Sequence, residues 1–249
     1  MKCVPGFLKI EDMKKVRIIL LVITAYFAEI HQTNAHAIWI ESKPKASKNK
    51  AHEVNVFYGE YTEGQPDSVR RWYSDLKDLE VWLTSPSKKR TQLQLKDVLT
   101  HLTSSFIPDE DGLYYISTVH ATKDLGGTTK YEFSSIAPVL VGNINTEAAG
   151  IEQTLSVIAQ PKTFKTNSLI ELQVAKGAEV FSGAEVSIMS PEGWVKTVKT
   201  DDKGQVSFTP KLKGSYVIET SEFKKEEGEW DAKKYKAFWK GSTTHILVN

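Results

Sequence analysis

The sequence predicts an all-β protein in which two β-sandwich domains lie in tandem. Alternation of apolar and polar residues with a period of two, rich in β-branched and aromatic side chains, recurs beyond residue 36, whereas apolar stripes with helical spacing are scarce. Turn-forming clusters such as Lys43-Pro44 and Gly64-Gln65-Pro66-Asp67 separate these stretches at intervals typical of a sandwich. A polar run of small residues from Gly142 to Gly150 is typical of a linker between two such series.

Composition excludes several classes of protein. The chain has 249 residues, 40% of them hydrophobic, and 32 basic against 31 acidic residues give a net charge of +1. These values are those of a globular protein and not of a disordered or collagen-like chain. Nucleic acid is not expected as a partner, because the sequence has no strongly basic stripe. The single cysteine, Cys3, excludes a disulfide framework within the chain and a CxxC metal knuckle.

The amino-terminal segment predicts export. Basic residues from Met13 to Arg17 precede the apolar run Ile18–Ala28, which is typical of a secretory signal and too short to span a bilayer comfortably. We therefore expect translation to start at Met13 and the signal peptide to end at residue 35, with a cut before His36. A cut before Ile38 and an uncleaved signal anchor are the alternatives. The mature protein is expected to be periplasmic or otherwise extracytoplasmic, without a transmembrane span.

The domains follow from these boundaries. We assign 1–35 to the signal peptide, 36–143 to an amino-terminal β-sandwich, 144–152 to the linker and 153–249 to a second β-sandwich. The strands expected in the first domain are Ala37–Glu41, Glu53–Tyr58, Leu79–Leu83, Thr91–Leu95, Gly112–His120 and Tyr131–Val141. Those expected in the second lie within 168–174, 183–194, 200–208, 214–219 and 244–248. Residues 223–240 are predicted to form a charged, hairpin-like excursion, and 70–78 an irregular or short helical insert.

No catalytic motif is found. The chain lacks a Gly-x-Ser-x-Gly elbow, a phosphate loop, a His-Glu-x-x-His pair and a dinucleotide fingerprint. We therefore expect no enzymatic activity and no organic cofactor.

Histidine placement predicts a metal site. His36 opens the first expected strand, His52 opens the second, and His120 closes a later one, so the three imidazoles could converge at one rim of the first sandwich. Imidazole suits Ni²⁺, Co²⁺, Cu²⁺ or Zn²⁺ where thiolate is absent. A free amine on His36 would add a second nitrogen ligand, and Glu60 and Asp124 could complete the shell or orient a ring.

Aromatic clusters support a different hypothesis. The segments Phe57–Tyr61 and Arg71–Asp75 could form a stacking platform for a sugar or a peptide, or could be core and corner residues of the sandwich. His101 and His245 are expected to be surface or packing residues.

The sequence also resembles known families. The Asp-Lys-Gly turn at 202–204 and the Gly214-Ser215-Tyr216 strand entry resemble the carboxypeptidase-regulatory, transthyretin-like sandwich. The runs Ala35–Glu41, Val56–Tyr61 and Gly112–His120 resemble an exported family of periplasmic components of cobalt/nickel ABC-type uptake systems, otherwise known as a domain of unknown function.

This second resemblance implies capture of Ni or Co and its delivery to a membrane transporter. The ligands it implies are His36, Glu41, His52 and His120. The family often begins with alternating alanine and histidine, whereas this chain has one histidine between Ala35 and Ala37.

Three functional hypotheses remain at this point. The first is a metal-binding protein, and the second is an Ig-like or transthyretin-like module that binds carbohydrate, peptide or a membrane partner. The third follows from a weaker similarity to periplasmic copper-binding sandwiches with an amino-terminal histidine, and is an oxidative copper enzyme.

Overall fold

Strands dominate the protein, as predicted. The computed structural model describes residues 36–144, 146 and 153–249, so the predicted signal peptide and most of the predicted linker lie outside the described residues. The compact unit is His36–Asn249. Within the described ranges, regular structure is limited to β-strands and three short 3₁₀ helices, which confirms the all-β prediction.

The described residues contribute the following strands in chain order: β1 (Ala37–Glu41), β2 (Lys45–Ala46), β3 (His52–Gly59), β4 (Val81–Thr84), β5 (Arg90–Leu93), β6 (Lys96–Asp97), β7 (Leu102–Phe106), β8 (Gly112–Ala121), β9 (Thr129–Val141), β10 (Ser156–Ala159), β11 (Ile170–Lys176), β12 (Glu179–Val180), β13 (Glu185–Met189), β14 (Val195–Lys199), β15 (Gln205–Phe208), β16 (Gly214–Trp230) and β17 (Lys233–Val248). The 3₁₀ helices are Tyr61–Glu63, Val69–Arg71 and Leu76–Asp78. The insert at 70–78 is therefore a pair of short helical turns.

These strands form three sheets. A four-stranded sheet has the order β1-β3-β7-β6, and a small sheet joins β10, β11, β12 and β15. The largest sheet has nine strands, ordered β14-β13-β16-β17-β9-β8-β4-β5, with β2 beside β9. The large sheet thus contains strands from both halves of the chain.

The two largest hydrophobic cores among the described residues come from different parts of the chain. The first contains buried residues between 38 and 141, such as Ile38, Val56 and Ile116, with Trp239 packed against it. The second contains residues between 157 and 248, such as Val186 and Ile218. The cores therefore divide near the predicted linker, but the sheet between β9 and β17 is continuous across that division. Independent folding of the two predicted domains stays a prediction.

The hairpin of β16 and β17 is longer than predicted. The sequence indicates short strands at 214–219 and 244–248, whereas the structure pairs Gly214 with Val248 and continues to Trp230 and Lys233. The connecting residues Asp231 and Ala232 have φ angles of 48° and 60°, as in a type I′ turn. Because neither is the asparagine or glycine usual in such a turn, the sequence carries only a weak hairpin signal.

Two buried hydroxyl groups join β1 to the large sheet. Strands β17 and β9 pair in parallel from Ala237↔Thr129 to Thr243↔Ser135. The Thr243 hydroxyl donates to the Ile38 carbonyl oxygen at 2.6 Å, and Ser135 Oγ accepts the Ile40 amide at 3.0 Å. The two hydroxyl oxygens lie 2.9 Å apart. Side chains thereby satisfy backbone groups at the free edge of β1, which would otherwise be buried without partners.

Removal of one of these hydroxyls tests this junction. We expect Thr243→Val to lower the free energy of unfolding by about 1–3 kcal/mol, because the Ile38 carbonyl loses its donor in a buried position. Equilibrium unfolding in urea measures the effect. Thr197→Val, at an exposed position on β14, is the matched control and should change stability little. Equal midpoints for Thr243→Val and the unmodified protein would contradict this role.

Candidate ligand-binding cleft

An open cleft lies beside the carboxyl end of β1. Its volume is about 220 Å³, and the residues that line it are Trp39, Glu41, Phe57, Tyr61, Gly64, Gln65, Pro66 and Pro191. We refer to it as the aromatic cleft.

Three aromatic side chains form its wall. Trp39 and Phe57 are paired residues of β1 and β3, and their rings stack with centroids 5.5 Å apart and planes 14° apart. The Tyr61 ring meets Trp39 edge-on at 5.4 Å. Trp39 is buried, whereas Phe57 and Tyr61 are partly exposed. Trp72, from the other predicted aromatic cluster, is buried in the first core instead.

The cleft is held by contacts from distant parts of the chain. The Tyr61 hydroxyl donates to the Ser215 carbonyl oxygen at 2.7 Å, which ties the Tyr61–Glu63 helix to β16. Trp39 packs with Met189 and Val217 from the second half of the chain. Gly193 lies against this helix with a φ of 82°, and a Cβ there would come within 2.7 Å of the Thr62 carbonyl oxygen. These contacts give the aromatic wall a fixed shape.

Hydrogen-bonding groups stand beside the aromatic rings. Trp39 Nε1 donates to Glu41 Oε1 at 2.9 Å, which orients this carboxylate at the rim. Burial, with a contribution from Glu41, raises the pKa of Tyr61 well above its usual range, so the phenol stays protonated and remains a donor. The cleft therefore combines aromatic faces with the polar side chains of Glu41 and Gln65.

The predicted metal ligand His36 has another partner. Its Nε2 lies 3.2 Å from Asp67 Oδ2, and its ring contacts Tyr58 with centroids 5.3 Å apart. Arg71 also approaches Asp67, at 3.5 Å. The side chain of His36 thus fixes the start of β1 against the loop after β3.

His120 and Asp124 lie in a loop contact. His120 Nε2 is 3.2 Å from Asp75 Oδ1, which also accepts the Lys123 amide at 3.0 Å. Burial favours a higher pKa for Asp75, but the Lys123 amide and His120 hold that pKa below its usual value. Asp124 pairs with Lys233 at 2.9 Å and joins this loop to the β16–β17 hairpin.

His52 and Glu41 line a second cavity, together with His245. Its volume is about 460 Å³. His52 Nε2 lies 2.8 Å from Ser42 Oγ, and burial lowers the pKa of this histidine. His245 Nε2 is buried without a hydrogen-bond partner, and burial likewise lowers the pKa of His245. Alternation on β17 places His245 on the same face as Thr243 and toward β1, which the prediction of a surface or packing role for His245 did not include.

Two acidic side chains, the partly buried Glu60 and the buried Glu219, lie in the same region of the protein. Thr62 Oγ1 donates to Glu60 Oε1 at 2.6 Å, whereas Glu60 Oε2 is buried without a hydrogen-bond partner. Glu219, on β16, is only 7% exposed. Burial and the nearby charge of Glu60 raise the pKa of Glu219 to about 8. Glu219 is not predicted as a site residue, because polar residues in an alternating strand are expected to face solvent.

The predicted ligands are not gathered into one site. In the part of the chain that the structure describes, no group of three or more His, Cys, Asp or Glu side chains is arranged to hold a metal ion. His36, His52 and His120 contact Asp67, Ser42 and Asp75 respectively. The expected three-histidine rim is therefore not formed, and metal binding by any one of these residues stays a prediction.

A membrane-spanning helix is likewise not found among residues 36–144 and 153–249: no helix there has the length and apolarity to cross a bilayer.

Comparisons with known proteins give only distant structural likeness. No protein-family model and no curated protein matches the chain. Fibronectin(III)-like modules of Clostridium thermocellum CbhA align over 84% of this chain and 94% of theirs, with 11% identity and a TM-score of 0.25. A segment of two fibronectin type III domains from chicken tenascin aligns over 84% and 97%, with 10% identity and a TM-score of 0.25.

The BSP domain of a biofilm-associated protein aligns over 85% of this chain and 30% of that one, with 9% identity and a TM-score of 0.24. Structural likeness at such low scores does not support an inference about function. The function is therefore inferred from the side chains of this protein.

The Asp75 contacts predict a pH dependence of stability. Because the folded pKa of Asp75 is lowered, its stabilising effect is present above the unfolded value of 3.8 and is lost as the pH falls through the folded pKa. We therefore expect Asp75→Asn to lower the melting temperature at pH 6 more than at pH 2.5. Thermal unfolding at both pH values measures this difference. Asp78→Asn is the control in the same segment, and an equal loss at both pH values for Asp75→Asn would contradict the assignment.

Proposed function

We propose that this protein is a non-catalytic, extracytoplasmic binding module that holds a carbohydrate in the aromatic cleft. The stacked and edge-on rings of Trp39, Phe57 and Tyr61 beside polar rim residues are the observation that carries this proposal. Export rests on the sequence of the amino-terminal segment.

The chemistry of the cleft favours a sugar ring. The C–H faces of a pyranose pack on partly exposed aromatic side chains such as Phe57 and Tyr61, which offer apolar surface with little conformational freedom to lose. Glu41 and Gln65 can bond to hydroxyl groups at the ring edge. A small number of polar groups around an apolar wall is typical of ligand sites that fix the orientation of what they bind.

Removal of one aromatic face tests the carbohydrate proposal. In a glycan array followed by titration calorimetry with the best ligand, we expect Phe57→Ala to weaken binding by about tenfold, since one aromatic contact is worth roughly 1 kcal/mol. Phe223→Ala is the matched control, because Phe223 is 59% exposed on β16 and does not line the cleft. Absence of glycan binding, or equal affinity in the two variants, would refute the proposal, and binding of peptides only would indicate a different ligand class.

A second candidate function is capture of Ni²⁺ or Co²⁺ for an uptake transporter. The buried, unpartnered Nε2 of His245 in the cavity shared with His52 and Glu41 favours it, and so does the resemblance to the cobalt/nickel family. Imidazole and carboxylate are suitable ligands for these ions. Binding has to draw the three side chains together, since the described residues show no group arranged for a metal.

Native mass spectrometry tests this second candidate. With Ni²⁺, Co²⁺, Cu²⁺ or Zn²⁺ added, we expect one tightly held ion that is lost in His245→Ala. His101→Ala is the control, because His101 contacts Phe57 at 4.7 Å and lies outside that cavity. Weak, multiple adducts that are unchanged in His245→Ala would exclude a specific metal site there.

A further inference from the structure

Among the described residues, no cation forms an ion pair with the partly buried Glu60 or the buried Glu219, which we call the acidic pair. The side chain of Glu219 is only 7% exposed, and Glu60 Oε2 is buried without a hydrogen-bond partner. The residues paired with Glu219 across the sheet, Ser187 and Thr243, are neutral. Buried carboxylates are costly unless a cation or hydrogen-bond donors compensate them. Apart from the Thr62 hydroxyl, which donates to Glu60 Oε1, the described residues give this pair no hydrogen bond or ion pair.

The amino end of β1 lies beside both residues of this pair. Thr243, which is paired with Glu219 on the neighbouring strand, donates its hydroxyl to the Ile38 carbonyl oxygen, so Glu219 lies beside the start of β1. Ala37 pairs with Gly59 in the β1–β3 register, so His36, which precedes Ala37, and Glu60, which follows Gly59, are the next residues along two adjacent strands. His36 is also where the compact unit begins. The side chain of His36 is held by Asp67, which leaves its main-chain nitrogen for a separate contact.

We propose that cleavage before His36 creates an α-ammonium group that binds the carboxyl groups of Glu60 and Glu219. Hydrolysis of the Ala35–His36 peptide bond by a signal peptidase consumes one water, leaves a carboxylate on Ala35 and frees the amine of His36, which is protonated at neutral pH. The pair then gains its cation within the mature chain, and the first strand is fixed at its start.

This inference depends on the proposed export and not on the ligand of the aromatic cleft. It also selects one of the two cleavage positions, because a cut before Ile38 would remove both His36 and Ala37. The new ammonium group acts as a structural link between β1, the loop after β3, and β16. Cleavage before His36 therefore stabilises the folded protein and also releases it from the signal peptide.

The test compares two chains that differ only at the amino terminus. One begins with a free His36, produced from a fusion whose protease leaves no extra residue, and the other carries an acetyl group on the same nitrogen. At pH 7 with a chelator present, we expect the free amine to raise the melting temperature by about 2–6 °C. In Glu60→Gln and Glu219→Gln this difference should disappear, whereas Glu63→Gln, an exposed carboxylate nearby, should keep it.

Four results would overturn the inference. The first is an equal melting temperature for the free and acetylated chains, and the second is a difference that persists in both Gln variants. The third is an intact mass of the exported protein that shows an uncleaved chain or a start at Ile38. If Ca²⁺ or another divalent ion stabilises the acetylated chain as much as the free amine does, a metal ion and not the amino terminus is the cation. None of these outcomes depends on glycan binding, so the two proposals fail separately.

Discussion

The parallel pairing of β9 with β17 is the constraint on which the rest of the structure depends. It places the Ser135 and Thr243 hydroxyls side by side, where they bond to the backbone of β1 at Ile40 and Ile38. Residues more than 90 positions apart in sequence thereby meet in one buried contact. Without it, β1 would have an unsatisfied edge inside the protein, and the first core would lose its attachment to the carboxyl-terminal hairpin.

The candidate sites lie along this junction. Trp39 of β1 packs against Met189 and Val217. Pro191 also lines the aromatic cleft, so the cleft is built by both halves of the chain. The same face of the large sheet carries Glu219 and His245, one toward Glu60 and the other toward Glu41. Titratable groups are buried here because the sheet that contains β1 and β3 packs on the large sheet that contains β16 and β17. The proposed sugar, metal and amino-terminal contacts therefore all involve β1 or its neighbour β3.

Local patterns in the sequence predict much of the fold and little of the site. Alternation places β1 at Ala37–Glu41, and the predicted strand at 112–120 ends one residue before β8 does. The β16–β17 hairpin is predicted too short, because its charged residues and Asp231-Ala232 turn are typical of a solvent-exposed excursion.

The pairing of strands that are distant in sequence has no local signature. Alternation alone therefore predicts that Glu219 faces solvent, and it does not predict that His245 lies near Glu41. From the sequence, the histidines at strand ends could converge, but in the structure His36 and His120 lie 3.2 Å from the carboxylates of Asp67 and Asp75.

Amide hydrogen exchange along β9 and β17 tests the central claim most directly. If the shared sheet makes residues 36–249 one cooperative unit, the amides of 133–135 and 241–243 should exchange slowly, with the same opening free energy as buried amides of both cores, such as those of Ile116 and Val186. Fast exchange across the β9–β17 pairing, with two different opening free energies for the two cores, would contradict the account. The chain would then be two sandwiches that fold separately and only touch.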